Sequence, residues 1–370
     1  MLRLAAKPPD RQRVGLLLTL CMLSCGGDPD GWRYQRERAQ ESLGDVERSG
    51  LVLGEFTLAR EPVVDGDTIK VDGLGRSLRL LGLDTEETFK NDTDRRAAES
   101  DWPGYLARKR QQAGGRPPKL ATPLGEEAKR FARRFFADVK TVRLERDHPR
   151  EVRDRYDRYL AYAFVKKNGQ WLNYNVECVR AGMSPYYSKY GYSRRYHDDF
   201  VAAEKEARTA GRGIWAPGAQ ASGDYDVRRA WWDARAEFVR KFEVEADGKP
   251  DWIVLTHWDA MRRLQERVGK EVVVLGTVGD VTRGERGPTR VTLTRRLFGD
   301  LTVIFWDPDV FAASGIARYR GEFVRVRGVV GIYRSKRTSK EQLQVVVNLP
   351  AQVVGSQVPG LPPDVMEEDE

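Results

Sequence analysis

Val63-Val64-Asp65-Gly66-Asp67-Thr68-Ile69-Lys70-Val71 decides the fold of the first half of the chain. Apolar and β-branched residues flank Asp65-Gly66, the pattern of a β-hairpin with a turn-forming tip. Working outward, Gly54 to Leu58 and Ser77 to Leu83 are short runs of the same kind, with Asp72-Gly73 as a second turn, so a meander is predicted. Val139 to Glu145 and Tyr159 to Lys166 read as further strands. Thr122-Pro123-Leu124-Gly125-Glu126 opens a helix to about Asp138, because a Thr cap, a Pro in the first turn and an early acid favour helix initiation. Leu172 to Ala181 and Arg194 to Thr209 predict two more helices. The expected class is mainly β with helices (α+β), a small barrel with helices packed on it.

The stretch 88–122, polar and containing Gly114-Gly115-Arg116-Pro117-Pro118, reads as a long mobile insertion. Gly211-Arg212-Gly213-Ile214-Trp215-Ala216-Pro217 closes the first unit, and 218–268 reads as a linker with helices at Val227 to Lys241 and Trp258 to Val268. Five strands follow within 269–355: Glu271 to Val281, Thr289 to Leu293, Leu301 to Trp306, Phe323 to Tyr333 and Gln342 to Asn348. That succession predicts a second barrel, of the oligonucleotide/oligosaccharide-binding (OB) type. Its Arg325, Arg327, Tyr333, Arg334, Lys336 and Arg337 are candidates either for a phosphate-tracking surface with an aromatic platform or for the solvated charges of a packing module. The tail, 356–370, ends in Glu367-Glu368-Asp369-Glu370 and reads as disordered.

Composition narrows the partners. The 370 residues carry 63 Lys and Arg against 55 Asp and Glu, and the net +8 favours a polyanionic partner. No apolar run reaches the roughly 18 residues of a spanning helix, which excludes an integral bundle. Three Cys and three His exclude a disulfide framework and a Cys/His zinc site, so a metal here is held by oxygen. At the N-terminus Arg3, Lys7, Arg11 and Arg13 precede apolar Val14 to Leu23 and then Ser24-Cys25-Gly26-Gly27, the order of a secretory signal over 1–25. Met22-Leu23-Ser24-Cys25 resembles a bacterial lipobox, which makes Cys25 a candidate for lipidation and 26–50 a polar spacer. An exported chain is expected, either a membrane-anchored lipoprotein or a periplasmic or extracellular protein. Cys178 reads as a small buried apolar residue.

Three clusters carry the chemistry: Val64-Asp65-Gly66-Asp67-Thr68, Arg79-Leu80-Leu81-Gly82-Leu83-Asp84-Thr85-Glu86-Glu87, and Arg155-Tyr156-Asp157-Arg158-Tyr159. A closed meander brings Asp67 and Asp84 together, and two like charges about 4 Å apart repel by about 4 kcal/mol at an effective dielectric near 20, so a cation is needed. Oxygen donors, including a backbone carbonyl such as that of Thr85, suit Ca²⁺ or Mg²⁺. With two arginines to stabilise phosphoryl oxygens and Glu87 to orient or deprotonate a water, the set is suited to phosphodiester hydrolysis.

On these residues the chain resembles the staphylococcal nuclease (thermonuclease-like) family over roughly 51–217, with the three motifs in the family's order. The resemblance implies an OB-type five-stranded barrel with three helices, and cleavage of DNA and RNA with little sequence preference, leaving 3′-phosphates. It implies Ca²⁺ held by Asp67, Asp84 and the Thr85 carbonyl, with Asp65 as an acid behind them. Arg79 and Arg158 are the implied phosphate-binding pair, Glu87 the implied general base, and Arg155 and Tyr156 the implied contacts to a terminal phosphate. Glu86 stands where the family has Pro, setting a second acid beside Glu87. Asp157 and Tyr159 replace glycines around the second arginine, placing Asp157 to neutralise Arg158. Met183-Ser184-Pro185-Tyr186-Tyr187-Ser188-Lys189-Tyr190 offers either base-stacking groups or a packed Tyr cluster. A nuclease-like domain that only binds nucleic acid has no use for four clustered acids, and an envelope structural lipoprotein predicts no divalent-dependent hydrolysis. No obligate protein partner is evident.

Overall fold

The computed structural model describes residues 50–113, 119–154, 156–284, 287–294, 301–334 and 341–360. The signal segment with Cys25, the polar spacer, Arg155, Lys336, Arg337 and the acidic end of the tail lie outside the described residues.

The first barrel is built from β1 (Val52–Asp65), β2 (Thr68–Val71), β3 (Leu78–Leu80), β4 (Thr141–Glu145) and β5 (Tyr159–Lys167), extended by β6 (Gln170–Asn173). One continuous β1 replaces the two short runs expected, because register shifts between Leu58 and Asp65 bend it. Its first half pairs with β4 and its second with β2. The barrel closes where β3 pairs in parallel with β5.

Two helices, α1 (Asp92–Ser100) and α2 (Trp102–Ala113), occupy the stretch expected to be a mobile insertion. Asn91 caps the first by accepting from the Asp94 N–H, and Tyr105 is buried beneath the second, with its hydroxyl on the Ala121 carbonyl. The Gly/Pro richness sits after these helices rather than through them. α3 (Pro123–Phe136) then begins on the Thr122 cap. It lays Ala128, Ala132 and Phe136 on the barrel core of Ile69, Leu78, Leu80, Val142 and Leu144. α4 (Tyr174–Arg180) and α5 (His197–Thr209) complete the unit, and Cys178 is fully buried as expected.

The long α6 (Tyr225–Ala246) buries Tyr225, Arg228, Trp232, Arg235, Val239 and Phe242, a heptad-like spacing that puts one face inward. It joins the barrels: Val239 and Phe242 pack with Trp252, Val273 and Phe323, and Arg235 forms a fully buried ion pair with Glu322. Arg235 also donates to the Lys189 and Gly321 carbonyls, and Trp231 donates to Glu322. After β7 (Trp252–Val254) and α7 (Ala260–Gln265) comes the second barrel: β8 (Glu271–Thr282), β9 (Thr289–Thr294), β10 (Leu301–Phe305), β11 (Phe323–Arg334) and β12 (Glu341–Val347). α8 (Pro308–Ser314) lies between β10 and β11, and the short β13 (Val353–Gly355) adds to β11. β10 and β12 pair in parallel and β11 closes on β8, so both barrels have the OB strand order.

Candidate active site

The β1–β2 hairpin places two carboxylates at the barrel rim. Asp65 Oδ1 accepts the Asp67 N–H (3.2 Å), and Thr68 Oγ1 donates to Asp67 Oδ1 (3.0 Å). Gly66 at the tip is obligatory: a Cβ there would come within 2.7 Å of Thr85 Cγ2 and 2.9 Å of Ala128 Cβ. Hairpin, Thr85 and α3 thus approach closely, and the Tyr174 hydroxyl ties the tip down by donating to the Gly66 carbonyl (2.8 Å).

Arg79 on β3 faces these acids. Its guanidinium pairs with Asp67 Oδ2 and donates to the Leu83 carbonyl (2.7 Å) and Asp84 Oδ1 (3.3 Å). Asp67 and Asp84 therefore converge, as expected, with a cation between them supplied by the chain. A second one reaches in from the stretch before α3: Lys119 Nζ stands 3.5 Å from Asp67 Oδ2, 3.2 Å from Asp84 Oδ1 and 3.1 Å from Glu87 Oε1. Exposure grades outward, from 3% for the Asp67 side chain to 12% for Asp84 and 35% for Glu87, so Glu87 lies at the mouth.

Burial and the charge of Asp67 push the Asp65 carboxyl up to about 7, which concentrates the hairpin's negative charge on Asp67. Burial alone would raise Asp67 too, but Arg79 and Lys119 hold it below the usual carboxylate range. Against burial, Asp67 and Asp84 hold Arg79 and Lys119 above their ordinary values.

Arg158 sits in the segment leading into β5. Arg79 registers with Leu160 across the parallel pair, so Arg158 lies two residues before Arg79's partner in the chain. Its partner is Asp154, through Nε (2.8 Å) and Nη2 (2.6 Å), and not the neighbour Asp157 expected to neutralise it. Asp157 turns away to Arg153 (2.6 Å) and Arg76 (3.3 Å), in a left-handed conformation (φ 64°) at a position where the family has glycine. Asp tolerates that conformation better than most residues. Tyr156 is exposed with the Arg158 guanidinium over its ring at 5.4 Å.

Glu86 does not act as a second acid at the site. It is buried and accepts from the Thr122 hydroxyl, the Tyr225 hydroxyl and the Ser222 N–H (2.7 Å), so it ties the rim to α6. The Gly/Ser stretch before α6 is accordingly packed, with Ala221 and Ser222 buried. Tyr186 is a core group stacked on Phe200 (4.7 Å), which favours the packed-cluster reading for it, whereas Tyr187 is partly buried, edge-on to Trp232 (4.9 Å) and with the Arg79 guanidinium over its ring at 5.8 Å. On the second barrel, Arg325 is held by Glu245 (2.7 Å), and Arg327 and Arg334 make exposed pairs with Glu271 and Glu341.

Sequence reasoning missed Lys119, Asp154 and Ser184, whose Oγ accepts the Asp84 N–H (2.9 Å). Ser184 lay in the Met183 to Tyr190 stretch already singled out, and Lys119 in the stretch 88–122 read as a mobile insertion. Lys119 reaches the site through a pairing far apart in sequence, where Glu87 N–H donates to the Leu120 carbonyl (3.0 Å) and Thr122 N–H to the Glu87 carbonyl (3.1 Å). Gly125 permits it, since a Cβ there would lie 2.0 Å from the Glu87 carbonyl oxygen.

Comparison with known proteins places the rim in a family. A family model described as staphylococcal nuclease homologue matches residues 77–217, which takes in Arg79, Asp84, Glu87 and Arg158 but begins after the hairpin. Thermonuclease of Staphylococcus hyicus is 31% identical over 156 residues, covering 42% of this chain and 72% of the relative. The chain belongs to the staphylococcal nuclease family. Thermonuclease of Staphylococcus intermedius is 30% identical over 169 residues (44% and 78%), and an uncharacterized protein of Methanocaldococcus jannaschii is 33% identical over 164 residues (41% and 68%). Membership points to a nuclease-type hydrolase carried by the first barrel, and the second barrel is an addition beyond the family's matched region.

As the side chains stand, among the described residues no group of three or more His, Cys, Asp and Glu is arranged to hold a metal ion, since Arg79 and Lys119 fill the space between the carboxylates. The donor chemistry nevertheless fits a hard divalent cation: Asp67 and Asp84 offer only oxygen and face the same cations.

Proposed function

We propose that the chain is an exported, Ca²⁺-dependent nuclease that hydrolyses phosphodiester bonds of DNA and RNA with little sequence preference and leaves 3′-phosphates. The observation that carries this reading is the convergence of Asp67, Asp84 and Glu87 at one barrel rim, with Arg79 paired to Asp67 and Asp84. Asp67, Asp84 and the Thr85 carbonyl are the residues that would hold Ca²⁺, and Asp65 supports Asp67 from behind. When bound, the ion supplies Lewis-acid stabilisation of charge on the phosphoryl oxygens.

The chain's own groups do the rest. Arg79 and Arg158 donate to the non-bridging oxygens as negative charge grows there, and a planar guanidinium suits two oxygens at once. Glu87, partly exposed, orients a water and takes its proton as the oxygen attacks phosphorus and the bond to O5′ breaks. Arg155 and Tyr156 contact a terminal phosphate. Cys25 is the anchoring residue, and a Cys25→Ala variant is expected to leave the membrane fraction for the soluble one; unchanged fractionation would rule the anchor out. For the central reading, the full chain is incubated with denatured DNA and with RNA, with Ca²⁺ or with chelator. Cleavage with Ca²⁺ that chelator abolishes is expected, and full activity in chelator would overturn the metal requirement.

A further inference from the structure

Lys119 has no part in the reading above, yet it touches three of the carboxylates that reading uses. The Leu120 to Thr122 segment runs beside Glu87 through two backbone hydrogen bonds, so Lys119 is delivered to the mouth of the cluster by the main chain. An ammonium imposes little directional demand, and here three carboxylates lie within ion-pair distance of it, at 3.1 to 3.5 Å. This is the place of a counter-cation. With Lys119 removed, Asp67 and Asp84 would keep Arg79, and Glu87 would lose the cation described beside it.

We infer that Lys119 is a built-in counter-cation and that its ammonium competes with a divalent cation for Asp67 and Asp84. The inference rests on reading those two residues as Ca²⁺ ligands. Arg79 already lies against Asp67 Oδ2 and Asp84 Oδ1, so a divalent ion placed beside both it and the Lys119 ammonium would meet strong repulsion, and Lys119, more exposed than Arg79 (35% against 13%), is the side chain that leaves. Lys119 can do so by rotating its flexible stem, since its side chain is already 35% exposed. Departure also breaks its ion pair with Glu87, which releases the proposed base only when the ligands take up the ion. The device keeps the carboxylates compensated in the absence of the ion and sets the Ca²⁺ concentration at which the site loads.

The test is Ca²⁺ binding by titration calorimetry to the full wild-type chain and to K119M, together with amine acetylation of the wild type read by peptide mass spectrometry. K119M is expected to bind Ca²⁺ about tenfold more tightly or better, because it no longer has to expel a resident cation. It is also expected to melt lower than the wild type in chelator. In the wild type, acetylation of Lys119 is expected to rise severalfold with Ca²⁺ while exposed Lys70 stays constant. If both proteins bind Ca²⁺ equally and Lys119 labelling is insensitive to it, competition is refuted and the ligand assignment stands. If neither binds, the assignment of Asp67 and Asp84 falls and the inference with it. Should K119M fail to fold by circular dichroism, the labelling of the wild type decides.

Discussion

Between β3 and α3 the first barrel carries Asp84, Glu87, two helices and Lys119, whereas between β10 and α8 the second has only Trp306 and Asp307. The acid at that place in the second barrel caps α8, its Oδ1 accepting the Asp309 N–H (2.8 Å) and the Val310 N–H (3.4 Å). In the first barrel Thr122 caps α3 instead, so the carboxylates remain available at the rim. β3 presents Arg79 among apolar neighbours, while Leu301–Phe305 of β10 has no charged residue. Identical strand order thus supports two unlike rims, and activity must be argued from the side chains set on the topology.

The largest effect concerns what joins the two units. Glu322→Ala leaves the Arg235 guanidinium buried without its carboxylate, and breaking one side of a buried pair costs about 3–5 kcal/mol. Chemical denaturation of wild type and variant reads it; a loss below about 1 kcal/mol, no more than a surface pair contributes, would show that the pair does not hold the barrels together. Next comes the rim. Arg158→Ala is expected to lower the cleavage rate on the order of 10²- to 10³-fold with the circular dichroism unchanged, and Arg158→Lys to recover little. A near wild-type rate for the alanine variant would separate Arg158 from catalysis.

A third test probes the seam. His148 and His257 stack at 4.6 Å where the first barrel meets the segment before α7. Burial, and then the guanidinium of Arg194, push His148 down to about 4, and burial drives His257 well below its ordinary value. Both folded values lie below the unfolded one, so the stabilisation is complete above about pH 6.5 and is lost as pH falls towards 4. The loss for His148 is on the order of 2 kcal/mol by pH 4.5. Melting temperature against pH is expected to fall over this window in the wild type and to flatten with His148→Gln and His257→Phe; parallel profiles would remove the pair from the acid response. The smallest effect is Asp307→Ala, a lost helix cap costing about 1 kcal/mol. It should leave cleavage unchanged, and a large fall in rate would mean that the second barrel's rim takes part in chemistry.

Much of the fold was legible because it is local. The hairpin at Asp65-Gly66, the cap at Thr122 and the apolar alternation of the second-barrel strands are read within a few residues, and the structure keeps them. The helices in 92–113 were not legible, since the polar stretch buries only Ala98 and Tyr105 among its described side chains and is held by partners far along the chain, such as Glu126 for Arg95 and the Ser222 carbonyl for Arg110. In the candidate site, the acids and arginines were visible as motifs, but the partners that define their charge were not. Asp157 next to Arg158 in sequence gives way to Asp154, whose carboxylate also accepts the Arg158 N–H (3.0 Å) and so meets the side chain in one turn.

Taken by itself, the sequence determined the family, two barrels and the inventory of ionisable groups, because strand alternation, turn residues and contiguous motifs are properties of neighbours along the chain. Tertiary structure alone decided which charge meets which. Glu86 and Glu87 are adjacent and chemically alike, yet one is buried against Thr122, Ser222 and Tyr225 while the other opens to solvent beside Lys119. Coulomb energy and desolvation depend on distance through space and on burial, and neither can be counted in residues.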